Sequence, residues 1–305
     1  MPHPFVIEVA GRDASQVVNN LSTNDLAKLP IGNYQETFIT DVRGWVVAHA
    51  AALKQAESVW LIGSHETPSK ICDHIDRYII REQAHINDHS TTHELLVAGS
   101  GVAASAPPAR EQDPGHSAAT EPFSLSTPCL LECAVPILDA ASRLWCIADE
   151  QVDLALTELQ QRGVQTCTPQ LFQWLRITNF WPLNPADIAD KTIPQELDRD
   201  PRAISFTKGC YLGQETIARL DARGQLQKKL CLVELTASDA AEVFEAGDKL
   251  LAADKEVGHI TSLAQQEHTA TWRGLALLRR GNFAAGTQLL CRGQKVQVLP
   301  NPLLT

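Results

Sequence analysis

The chain begins with a short apolar run, Phe5-Val6-Ile7-Glu8-Val9, and a turn at Gly11. Val17, Val18 and Leu21 then recur at helical spacing behind Asp13, which predicts a helix capped by that aspartate. Residues 34–40 and 45–53 read as two strands joined by Asp41-Val42-Arg43-Gly44, and residues 58–63 as a further strand. Thr67-Pro68 opens a helix carrying Ile71, Ile75, Tyr78 and Ile79. Strand-like runs return at 94–98, 129–135 and 143–148. A helix from about Glu150 stops at Gly163, and Pro169 starts another that carries Leu171, Phe172, Leu175 and Ile177.

Two stretches break this alternation. Residues 99–127 are rich in Gly, Ala, Ser, Pro and Thr, and predict a long surface loop or mobile insertion. Beyond about residue 228 the pattern turns to short strands, at 229–235, 257–263, 270–278 and 287–299 in two pieces. Gly247, Gly258, Gly274, Gly281, Gly286 and Gly293 punctuate them, as in a small barrel or sandwich. The expectation is an α+β body over residues 1–225 and a β-barrel over residues 228–305.

Composition narrows the function. A net charge of −10 argues against non-specific binding to nucleic acid or an anionic membrane, which needs clustered Lys and Arg. No apolar run has the length of a membrane span, and the N-terminus lacks a basic region followed by an apolar stretch, so a cytoplasmic protein is expected. The eight cysteines form no CxxC pair and no zinc-finger spacing; several sit in apolar runs, as in Leu144-Trp145-Cys146-Ile147. Reduced core cysteines are the reading, with no metal site.

The most unusual stretch is Ile204-Ser205-Phe206-Thr207-Lys208-Gly209-Cys210-Tyr211-Leu212-Gly213-Gln214-Glu215-Thr216-Ile217-Ala218-Arg219-Leu220. It reads as a strand, a glycine-permitted turn and a helix from near Gly213, with Arg219 able to pair with Glu215. Cys210 then stands just before a helix N-terminus and two residues from Lys208, both of which favour thiolate. The spacing leaves two readings open: a reactive thiol with Lys208 as its charged neighbour, or a partly buried cysteine in a tight turn.

Lys208-Gly209-Cys210-Tyr211-Leu212-Gly213-Gln214-Glu215 closely resembles the K-G-C-Y-x-G-Q-E signature of the YgfZ family, matching at every specified position. Those proteins bind folate, serve iron–sulfur cluster biogenesis and share the fold of the glycine-cleavage T-protein, an aminomethyltransferase. The surroundings are similar too: Leu21-Ser22-Thr23-Asn24-Asp25, the Val42-Arg43-Gly44 hairpin and Thr192-Ile193-Pro194-Gln195-Glu196 match family elements. The resemblance implies a T-protein-like α+β fold of ferredoxin-like subdomains with a C-terminal barrel. It also implies a tetrahydrofolate cofactor, iron–sulfur client or assembly proteins as partners, and an influence on tRNA modification through such enzymes.

A folate site needs an aromatic wall and cations for the glutamyl tail; Phe172, Trp174, Trp45 and Trp181 offer the first, and Arg176, Arg219 and Arg223 the second. Two departures from the family pattern bear on chemistry. Thr178 stands where relatives have a glutamate, and Ala48-His49 replaces the acidic pair of T-proteins, which argues against classical aminomethyl transfer. One-carbon transfer between folate and an amine is the alternative function, and a cysteine hydrolase using Cys210 with His259 a third. His85, His89 and His93 have the spacing of a helical metal stripe, but Asn87-Asp88 and Ser90-Thr91-Thr92 between them read as a turn.

Overall fold

The computed structural model describes residues 3–99, 124–224, 226–236 and 244–304. Most of the expected insertion, residues 100–123, lies outside the described residues, as does the side chain of Arg223.

Five antiparallel strands make the main sheet: β1 (Pro4–Ala10), β2 (Tyr34–Thr40), β3 (Val46–Lys54), β4 (Ser58–Ser64) and β5 (His85–Asp88), in the order β2-β3-β4-β1-β5. Side chains alternate across a strand, and here both faces are covered. Phe5, Ile7, Ala50, Ala52, Val59 and Leu61 face helices α1 (Ala14–Leu21) and α2 (Pro68–Asp76). Val6, Ala51, Leu53, Trp60 and Ile62 face the other way. That is why β1, β3 and β4 read as nearly continuous apolar runs.

The second face packs on a three-stranded sheet of β6 (His93–Ala98), β7 (Leu131–Cys133) and β8 (Arg143–Ala148), in the order β6-β8-β7. Cys133 and Cys146 are buried among its apolar contacts. Helix α3 (Val152–Gln161) covers the far side through Ala155 and Leu159.

Two local expectations change. Asp13 does not cap α1: its carboxylate instead accepts from Gln83 N at 2.7 Å, tying the chain entering β5 to the helix start. The polar run at 85–88 is a strand, because pairing with β1 from Ile7↔Asp88 to Ala10↔His85 overrides its weak strand composition.

The chain then passes through α4 (Pro169–Thr178), α5 (Asp200–Ala203) and α6 (Gln214–Arg223) into a closed barrel. Its strands are β9 (Lys228–Thr236), β10 (Lys249–Ala252), β11 (Lys255–Gln265), β12 (Thr271–Arg279), β13 (Gln288–Cys291) and β14 (Gln294–Val298). Alternation along β9 sends Cys231, Val233 and Leu235 inward and Leu230 and Leu232 outward. The outward leucines join Leu275 and Ala264 against Trp174, Ile177, Phe180 and Ile217 of the body. Each fully buried leucine contributes roughly 2 kcal/mol, so the barrel is firmly docked.

A polar latch reinforces the docking. Arg176, buried in α4, donates to Asp187 Oδ2 at 3.0 Å, Trp181 O at 3.1 Å and Ser262 Oγ of β11 at 2.7 Å. Thr261 Oγ1 reaches the other oxygen of Asp187 at 2.6 Å.

Candidate functional site

The segment 204–213 crosses from α5 to α6 over the end of α1, and it is stitched down along its length. Ser205 N donates to Thr23 O at 2.9 Å, Leu212 N to Asn20 O at 2.9 Å, and Thr40 Oγ1 to Leu212 O at 2.7 Å. Lys208 is buried, and its ammonium lies within 2.8 Å of Asn19 O, Ser22 O and Asn24 O and 3.1 Å from Asn19 Oδ1. Burial pulls this lysine down to about 8, against the pull of Asp25 the other way. At neutral pH it keeps its proton, as its acceptors require.

Gly213 has a left-handed backbone, φ +79°, and a side chain there would meet Asp41 O and Gly44 Cα at 2.5 Å. Gly44, φ +78°, faces it from the β2–β3 turn, so two glycines let that turn lie directly on the start of α6. Gly209 differs from both. Its φ lies outside the left-handed region, and nothing stands within 4 Å of where a Cβ would be.

Cys210 is exposed, while Tyr211 beside it is buried and its hydroxyl is pushed up to about 12 by burial. Cys210 lines a cleft of about 350 Å³. One wall is Val17, Asn20 and Leu21 of α1; another is Cys210, Tyr211 and Leu212; Tyr78 and Glu82, beyond α2, complete it. Glu82 is held low by the backbone amides of Arg81 and Ile80. Among the residues lining the cleft none is a cation or a histidine. The histidine weighed for a hydrolase, His259, lies in the barrel on β11, paired with Leu277 and Lys249, so the base that reading requires is missing from the cleft.

Cys210 stands three residues before the Gly213 cap, not at the first turn of α6 itself, and no ion pair joins Glu215 to Arg219 among the described residues. Of the remaining cysteines, Cys133, Cys146, Cys231 and Cys291 are buried and pushed up to about 11 or 12 by burial. Cys167 is also exposed, in the linker before α4, so exposure alone does not set Cys210 apart; its cleft does.

The residues named for folate are dispersed. Phe172 packs, half-buried, between the two sheets; Trp174 is buried in the body–barrel core with Arg273 over its ring at 5.0 Å; Arg176 is consumed by the latch. Thr178 accepts from Arg273 at 3.3 Å. Trp45 stays half-exposed, with Arg43 at 4.8 Å and Lys191 at 5.5 Å from its ring centroid. The turn before it touches Thr216, one helical turn from the exposed Arg219. The backbone of Arg223 ends α6.

The sequence reading missed a second polar centre, in the core of the body. His49 Nε2 is 2.7 Å from Glu36 Oε1, and both are sealed from solvent. Arg199 grips both carboxylate oxygens of Glu36, donates to Phe180 O and lies over Trp181 at 4.9 Å. Burial alone would push the Glu36 carboxyl up, but Arg199 and His49 outweigh it and hold it at about 2. A histidine inside the alanine run of β3 was the available signal, since a buried imidazole needs a partner. His85, His89 and His93 form no helix; the His89 and His93 rings meet edge-on at 5.3 Å across the β5–β6 turn. Among the described residues no group of His, Cys, Asp or Glu could hold a metal, and no helix is long and apolar enough to cross a membrane.

Residues 227–303 match the family model of the CAF17 C-terminal β-barrel domain. The whole chain superimposes on aminomethyltransferase T of the glycine cleavage system from Bartonella henselae with a TM-score of 0.77, covering 99% of this chain and 84% of that one at 13% identity. In sequence it is 32% identical over 113 residues to the tRNA-modifying protein YgfZ of Colwellia psychrerythraea, over 37% of this chain and 32% of that relative. It is 30% identical over 134 residues to the same-named protein of Vibrio atlanticus, over 44% and 36%. A putative chloroplastic transferase of Arabidopsis thaliana matches at 35% over 84 residues, 28% of this chain and 18% of that one. The matched stretches thus span about a third or less of these relatives. Fold and barrel define a protein of the aminomethyltransferase T fold with a CAF17-type C-terminal domain. Within that class the chain is similar, over about a third to two fifths of its length, to proteins named tRNA-modifying protein YgfZ.

Proposed function

We propose that this chain is an accessory factor in iron–sulfur cluster biogenesis or repair that acts through the Cys210 thiol, and that it influences tRNA modification through iron–sulfur enzymes. The observation that carries the reading is the pairing of an exposed thiol with a formed cleft at the centre of the signature Lys208–Glu215 segment. Transient ligation of a cluster or a persulfide and a redox step share one requirement, a thiol that a bulky partner can reach. The partners are then client or assembly proteins.

Tetrahydrofolate is the cofactor this class of fold implies, and the residues fit it unequally. Phe172, Trp174 and Arg176 are committed to packing and to the latch. Trp45 and Arg219 keep free surface and would hold the ring and the glutamyl carboxylates. Arg223 is proposed beside them on sequence grounds. No chemical step is assigned to the folate. One-carbon transfer lacks support in the core, because Glu36 is held at about 2 and engaged by Arg199, which makes it a poor base near neutral pH.

The test is complementation of a cluster-maturation defect by Cys210→Ala. The variant should fold as the parent does, since truncating an exposed cysteine costs roughly 0.5 kcal/mol or less, and should fail to complement. Full complementation would overturn the reading.

A further inference from the structure

We propose that Lys208 is a positioning residue, whose ammonium fixes the Gly209–Cys210 segment against the end of α1 and so sets the shape of the thiol cleft. The proposal rests on the reading of Cys210 as the working group, and it assigns the lysine a geometric role.

The cleft has two walls that are remote in sequence, α1 and the 210–212 segment. Ser205 N→Thr23 O and Leu212 N→Asn20 O join them on either side of Cys210. Between those points the ties come from Lys208. Its oxygens belong to the last turn of α1 and the residues just after it. Terminal carbonyls of a helix lack intrahelical donors, and a cation suits the negative end of the helix dipole. A compact ammonium with rotatable N–H groups serves several converging oxygens; a planar guanidinium does not. Asn19 is itself held, because its Oδ1 also accepts from Leu26 N at 3.0 Å.

The same ammonium lies 5.1 Å from the ring centroid of Tyr211. It therefore touches both flanks of the Gly209–Cys210 pair: Lys208 carries it, and Tyr211 packs beneath it. The two residues between have little holding of their own. Gly209 has open space around it, and Cys210 is exposed. A free segment with a glycine would sample many conformations. Bracketed in this way, the thiol is reachable without being loose. The N–H groups of the lysine are spent on carbonyls of α1, and the role assigned to it is one of place.

The experiment uses the full chain carrying Cys167→Ser, which removes the other exposed thiol. Lys208→Met is compared with its parent by amide hydrogen exchange over residues 205–213, by the pH profile of Cys210 alkylation with iodoacetamide, and by complementation. Exchange in that segment should rise about tenfold or more, the midpoint of the alkylation profile should stay in place, and complementation should fall. Unchanged exchange overturns the proposal. So does a midpoint raised by about one unit with exchange unchanged, which would make the role electrostatic. Should Lys208→Met fail to accumulate as folded protein, Asn19→Leu removes one acceptor from the opposite wall and should raise exchange over 205–213 about threefold; no rise overturns the proposal. Full complementation by Cys210→Ala sinks the reading of the thiol and leaves the exchange result standing, so the two failures are distinguishable.

Discussion

Lys208 and Arg199 are both buried cations of the body, and they are held in opposite ways. Lys208 is satisfied by uncharged oxygens, one side chain and the rest main chain, at the edge of the molecule. Arg199 is satisfied by a carboxylate that is itself buried, with an imidazole and an indole closing the group. The first arrangement consumes no reactive side chain, and the thiol two residues away remains open to solvent. The second consumes every polar group in it: Glu36, His49 and Arg199 answer one another. A sealed ion pair cannot act on an outside molecule without being broken, and breaking it leaves a charge uncompensated in the core. In this protein the polar centre that looks most like catalytic machinery is closed on itself, and the one built from backbone carbonyls adjoins an exposed cysteine.

The comparison is broken most severely at Arg199. Arg199→Met leaves the buried Glu36 carboxylate without its guanidinium, and should lower the unfolding free energy by about 3–5 kcal/mol, measured by denaturant titration. The acid limb of stability should change with it. The Glu36 carboxyl lies below its ordinary value of 4.5, at about 2, so its contribution is complete above 4.5 and is lost as pH falls through 2. In Arg199→Met that limb should shrink and move to higher pH, because only His49 then holds the carboxyl low. A loss of stability under 1 kcal/mol would mean that the centre is not sealed as described.

Asp200 sharpens the contrast with a smaller effect, since it has neither solution. Its Oδ1 is buried without a partner, and burial, together with Asp198 and Asp221, raises its carboxyl to about 6. A carboxyl raised from 3.8 to 6 binds its proton more tightly when folded, so stability falls as pH rises through that window. Asp200→Asn should therefore stabilise the protein at pH 7.5 by on the order of 1 kcal/mol, and the gain should disappear below about pH 3.8. Thermal unfolding at the two pH values reads this directly.

What was legible in advance follows from what is local. Apolar runs at 45–53, 58–63 and 143–148 and the glycine-punctuated strands after 228 announce themselves, because a strand covered on both faces or closed in a barrel carries its burial in its own residues. β5 and β10 did not, since β5 is polar and β10 is short and both are made strands by their neighbours. The thiol was legible from its motif. Its surroundings were not: Asn19, Ser22 and Asn24 act through carbonyls that every residue owns, and Tyr78 and Glu82 arrive from the turn after α2, remote in sequence. Arg176 illustrates the converse. An arginine beside aromatic residues suggested a ligand, but the partner that claims it, Asp187 with Ser262, is set by the docking of the barrel.

The open space beside Gly209 makes that position a steric ruler. Neither its backbone angle nor any neighbour asks for glycine, so Gly209→Ala should fold at least as well as the parent, gaining up to ~1 kcal/mol from the lost freedom of the unfolded chain. Whatever the added methyl obstructs then lies outside the chain. A series of Ala, Val and Trp at this one position measures clearance around the sulfur. A small reagent such as iodoacetamide should react with the thiol at similar rates in all of them, whereas a macromolecular partner should be lost in order of side-chain bulk, and the first variant to fail gives the width of the gap between the two surfaces.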